Sequence, residues 1–119
     1  MKLTSEQLAK TIDYTLLQPF ATKADIEMLC EEAKHFEFAA ICVNPSYVEL
    51  AARLLRNSNI KVDTVVGFPL GANTPEAKVF ETHDAIMRGA EEIDMVINVG
   101  ALKSGNLELV KDDIEGVVY

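Results

Sequence analysis

Two polar residues interrupt an apolar run late in the sequence: Asp94 and Asn98, within "EIDMVINVG". A carboxylate can take or give a proton, and an amide can orient a substrate oxygen. Neither is buried cheaply without a partner. If the run is a strand, alternate residues point to opposite faces. Asp94, Val96 and Asn98 then share one face, and Ile93, Met95, Ile97 and Val99 share the other. The same split recurs upstream. In "TIDYTLL" Asp13 and Thr15 lie opposite Ile12, Tyr14 and Leu16, and in "FAAICVN" Ala40, Cys42 and Asn44 share a face. Three strands thus present Asp13, Thr15, Cys42, Asn44, Asp94 and Asn98 on one common side. That agreement points to a functional site. The competing reading is a polar layer satisfied by backbone or water.

Other chemistry-bearing residues make weaker patterns. "GFPLGAN" has two glycines without the spacing of a phosphate-binding or dinucleotide loop, and reads as a loop after a strand that could close over a ligand. His35 and His83 fall on predicted helices in packing or surface roles. Lys103 reads as a solvated loop residue, and Asp112, Asp113 and Glu115 as a solvated helix face. Cys30 and Cys42 form no CxxC or Cys/His cluster, so the spacing supports no zinc site.

The elements that position these residues alternate. A short helix is expected from Thr4 to Lys10, then strands at about 11–17, 38–44, 61–68 and 92–99. Helices follow each strand. Thr22 caps the first, with Asp25 three residues on. Ser46 and Glu49 have the spacing of a capping box for the second. Thr74 and Pro75 open the third and Gly89 closes it, with Val79, Phe80, His83, Ile86 and Met87 near one side. Asn106 caps the fourth. One helix followed by four βα units implies an α/β fold with a parallel, doubly covered sheet. Two architectures fit: a (βα)4 half of a TIM barrel with an extra N-terminal helix, or an open flavodoxin-like sheet. A whole barrel takes about 250 residues, and this chain has 119. It reads as one domain over residues 1–119.

Composition narrows the partners. The chain is 49% hydrophobic and 25% charged, which fits a globular domain. Its net charge of −8 disfavours a nucleic-acid partner. No apolar run reaches the roughly 18 residues of a membrane span. Two free thiols and no signal-like segment suggest a reducing cytoplasm.

Four motifs carry a family resemblance. "TIDYTLLQPFAT", "FAAICVNPSYVELAARLL", "VVGFPLGANT" and "EIDMVINVGALKSG" closely resemble the deoxyribose-phosphate aldolases, in the same order and spacing, from about Thr11 to Val118. The resemblance implies a (βα)8 barrel and a class I aldolase without metal or cofactor. That enzyme cleaves 2-deoxyribose 5-phosphate to glyceraldehyde 3-phosphate and acetaldehyde through a lysine Schiff base. It implies a proton-relay role for Asp94 and an orienting role for Asp13 and Thr15. It also places Cys42 at the substrate pocket and Phe68 against the small aldehyde.

The resemblance also implies an absence. The family's Schiff-base lysine lies on its sixth strand, a second lysine on the seventh, and the phosphate loops after the seventh and eighth. No lysine here takes a matching position; Lys61 begins a strand and Lys103 sits on a loop. Several positions depart from the family pattern. Tyr14 and Gln18 replace a histidine and a lysine, Phe20 replaces a polar residue, and Glu37 stands where glycine is usual. Asp63 stands where cysteine is frequent, and Gly116 lies within a helix. The chain therefore reads as a truncated, engineered half-barrel that lacks aldolase activity and self-associates, a dimer being favoured. Two rival readings are a dimer that rebuilds an active site and a module that binds a sugar phosphate.

Overall fold

The structure, a computed structural model, describes residues 2–118. A short helix α1 (Ser5–Ala9) precedes strand β1 (Asp13–Leu16) and helix α2 (Lys23–Phe36). Strand β2 (Ala40–Val43) runs through a 3₁₀ turn (Pro45–Tyr47) into helix α3 (Val48–Leu54). Strand β3 (Lys61–Val66), helix α4 (Pro75–Arg88) and strand β4 (Glu92–Met95) follow. Two helices end the chain, a short α5 (Val99–Lys103) and α6 (Leu107–Val118).

The sheet is parallel throughout, in the unbroken order β1-β2-β3-β4. Right-handed crossovers taken in sequence place successive helices on one face. This is the arrangement of half a barrel. It excludes the flavodoxin-like alternative, whose strand order reverses at a switch point. The central strands β2 and β3 are almost wholly buried, while β1 and β4 at the edges are half-exposed.

The core lies between sheet and helices. Ile41, Val43 and Val62 meet Ile26, Leu29, Cys30 and Ala33 of α2 and Val48 and Ala51 of α3. The aliphatic faces expected from alternation are therefore the helix-facing ones, Tyr14, Leu16 and Ile93 included. Burial pushes the Cys30 thiol up to about 11, so it acts as a small hydrophobe.

Local chemistry accounts for most element ends. Thr22 and Asp25 exchange hydrogen bonds in a capping box, and Thr74 accepts from the Ala77 N–H. Asn106 accepts from the Leu109 N–H. α2 ends on Glu37 in the left-handed region (φ 56°), a conformation in which glycine avoids the Cβ penalty.

Three expectations are corrected. The strands are shorter than expected, most of all β4, which ends at Met95 rather than Val99. Asn98 caps α5, with its Oδ1 accepting from the Ala101 N–H at 3.0 Å. A β-branched run there looks like strand, but the cap turns the chain into a helix. The Ser46–Glu49 box does not form, because Ser46 lies inside the 3₁₀ turn that Pro45 starts and α3 has no side-chain cap. Finally, α4 buries Lys78, Thr82 and Ala85, and leaves Phe80 and Met87 74% exposed.

Candidate active site

The concave face of the sheet, opposite the helices, gathers side chains from all four strands. Thr15 pairs in register with Cys42, and Cys42 with Asp63. Asp94 pairs with Val65, one step further along on the same face. This progressive stagger belongs to barrel strands. It brings ligand atoms of Asp13, Cys42, Asp63 and Asp94 all within 4.8 Å of one another. Asp13 and Asp94 sit on the edge strands and are exposed, whereas Cys42 and Asp63 are each 2% exposed.

Three carboxyls at this spacing cannot all ionise freely. Burial, followed by hydrogen bonding to Asp94 and Asp13, pushes the Asp63 carboxyl up to about 9. Asp63 thus keeps its proton at neutral pH, beside two further carboxyls. The Cys42 thiol is pushed up as well, first by burial and then by the charges of Asp63 and Asp13. It is an inert thiol rather than a nucleophile. Among the described residues, no ion pair joins a lysine, arginine or histidine to this cluster. The arrangement can hold and pass a proton, but it presents no amine.

The sequence-derived candidates divide. Asp13, Cys42 and Asp94 converge. Thr15 stands on the same face, with its hydroxyl bound to the Asp13 carbonyl at 2.9 Å. Phe68 lies 44% exposed in the loop after β3. Asn44 and Asn98 leave the cluster. The Asn44 amide donates to the Leu17 carbonyl at 3.3 Å, which ties the end of β2 to the end of β1, and Asn98 caps α5.

Asp63 stood out in the sequence only as a departure from a family pattern. Its signal was available, since alternation puts it on the face of Val65 and away from Val62.

Lys78 and Asp113 gave no such signal. Lys78 is fully buried and donates to the carbonyls of Gly71 (2.8 Å) and Val96 (2.9 Å) and to the Asp113 carboxylate. Asp113, expected on a solvated face, is 1% exposed. Their pair joins α4, α6, the loop after β3 and the segment after β4. Gly71 is required there: a Cβ would lie 2.1 Å from the Ile97 carbonyl oxygen, and φ is +67°.

Four consecutive parallel strands, with helices on one face and a cluster of carboxyls and a thiol on the other, define half of a βα barrel. The comparisons give the family. The chain belongs to the DeoC/LacD aldolase family, whose model matches residues 8–119. It is 62% identical over 112 residues to a deoxyribose-phosphate aldolase of Streptococcus gordonii, covering 94% of this chain and 51% of that protein. A deoxyribose-phosphate aldolase of Clostridium perfringens is 59% identical over 116 residues, 98% of this chain and 52% of that protein. The solved tetrameric deoxyribose phosphate aldolase of Aeropyrum pernix matches at 34% identity with a TM-score of 0.87, over 97% of this chain and 47% of that one. The chain spans about half the length of the curated relatives it matches.

Proposed function

We propose that these 119 residues supply the acid–base half of a deoxyribose-phosphate aldolase-type site, without the amine that starts the reaction. In the parent reaction a lysine forms a Schiff base with the sugar aldehyde, and the C–C bond then breaks to leave a carbanion that must be protonated. Asp94 and Asp13 are the exposed carboxylates that would relay that proton, with Asp63 holding one beside them. Thr15, Cys42 and Phe68 would line the substrate side, and a sugar phosphate is the ligand that this surface would meet.

The observation that carries this reading is the cluster of three carboxyls within 4.8 Å, without an ion-paired cation among the described residues. Lys78, fully buried, has its ammonium bound to two carbonyls and a carboxylate. It is buried and engaged on all three sides, out of reach of a carbonyl substrate. The chain alone is therefore inactive. Incubation with 2-deoxyribose 5-phosphate is expected to release no acetaldehyde above the rate in buffer. Release that disappears on replacing a single lysine would contradict this.

The half-exposed edges β1 and β4 support the second part of the proposal, self-association. Unpaired parallel edges seek further strands. Two copies joined β4 to β1 in both directions would close eight strands around a two-fold axis. Sedimentation at micromolar concentration is expected to give a species of twice the 13.1 kDa chain mass. A monodisperse monomer would count against it.

A further inference from the structure

The concave cluster has a second property, which does not depend on aldolase chemistry. Asp63 has one carboxyl oxygen sealed from solvent and without a hydrogen-bond partner. An orphaned buried acceptor is costly unless something occupies the space before it. Beside it lie the buried sulfur of Cys42 and, from the exposed edge strands, the carboxylates of Asp13 and Asp94. The four ligand atoms come one from each strand and lie within 4.8 Å of each other. The exposed edges leave the cluster open to an ion arriving from solvent.

We propose that Asp13, Cys42, Asp63 and Asp94 bind one divalent transition-metal cation, with Zn²⁺ the best match. One sulfur and three carboxylate oxygens make a four-ligand set. A thiolate favours a borderline-soft ion over Mg²⁺ or Ca²⁺, which take oxygen ligands. A tetrahedral ion with bonds of about 2.0–2.3 Å holds its ligand atoms about 3.3–3.8 Å apart. Asp13 and Asp94 stand exposed on the edge strands, where their side chains have room to turn toward an ion. As a thiolate is the sulfur ligand, binding releases the Cys42 proton to solvent. The spacing of the ligands in sequence hides the site, because each comes from a different strand.

The test uses the 119-residue chain stripped by a chelator. It is titrated with ZnCl₂ by calorimetry and with CoCl₂ by absorption. One ion per chain is expected, with micromolar or tighter affinity, and a sulfur-to-cobalt charge-transfer band that assigns Cys42. Asp63→Asn and Cys42→Ser should each weaken Zn²⁺ binding about tenfold or more. Circular dichroism checks the fold of each variant, and if Asp63→Asn does not fold, Cys42→Ser decides. Absence of binding at micromolar concentration would overturn the proposal. So would absence of the charge-transfer band, or less than about tenfold weakening in a folded variant.

Discussion

Lys78, Asp113 and Asp63 are equally hidden, at 0%, 1% and 2% exposure, yet their surroundings are opposite. Each of the three ammonium protons of Lys78 has an acceptor: two backbone carbonyls and the Asp113 carboxylate. Charge meets charge, and the pair fastens α4 and α6 to the loops that leave β3 and β4. Asp113 and Asp63 each keep one oxygen without a partner, but Asp113 binds an ammonium through its other oxygen, whereas Asp63 faces two further carboxyls and a thiol. The first cluster is closed and structural. The second is open on one side and short of positive charge, as expected of a site that receives a cation, a proton or a cationic intermediate from outside.

The strongest way to test that contrast is to break the closed cluster. Lys78→Met leaves Asp113 as a buried carboxylate without a counter-charge and should cost about 3–5 kcal/mol in urea unfolding. Adding Asp113→Leu should restore much of that loss. A single-variant cost below about 1 kcal/mol would show that the pair does not fasten the helices.

The open cluster should respond to pH with the opposite logic. In chelator-treated buffer, Asp63 loses its proton near 4 in the unfolded chain and about 9 in the folded one. Between those values the unfolded state binds fewer protons, so stability falls as pH rises. One such group contributes at most about 1.4 kcal/mol per pH unit, or at most about 3 kcal/mol between about pH 6 and pH 8. Asp63→Asn should flatten that part of the profile and raise stability at the alkaline end. An unchanged slope in the variant would refute the role given to Asp63.

The smallest effect belongs to a pair that resembles Lys78–Asp113 only on paper. Lys61 and Glu91 lie 3.2 Å apart, but both side chains are about half exposed, at 55% and 48%. Solvent screens them, and Lys61→Ala should change stability by less than about 1 kcal/mol.

Much of the frame is written locally and was legible in the sequence. Apolar runs marked all four strands, Thr22 and Thr74 marked helix starts, and alternation placed Asp13, Cys42 and Asp94 on one face. The unread features are tertiary. Asn98 could serve as a strand residue or a helix cap, and only the turn after Met95 decides between them. The side of α4 that packs inward is set by a partner 35 residues away, Asp113, which draws Lys78 and not Phe80 into the interior. Asp63 looked like a lone substitution until register put it beside three other ligand atoms. In each case the deciding contact lies beyond the window in which spacing or propensity acts.

A site with carboxyls and no reactive amine cannot form a Schiff base. Borohydride trapping in the presence of 2-deoxyribose 5-phosphate, with peptide mapping by mass spectrometry, tests it most directly. No stoichiometric adduct is expected on any lysine, Lys78 included. One adduct per chain on a single lysine would contradict it.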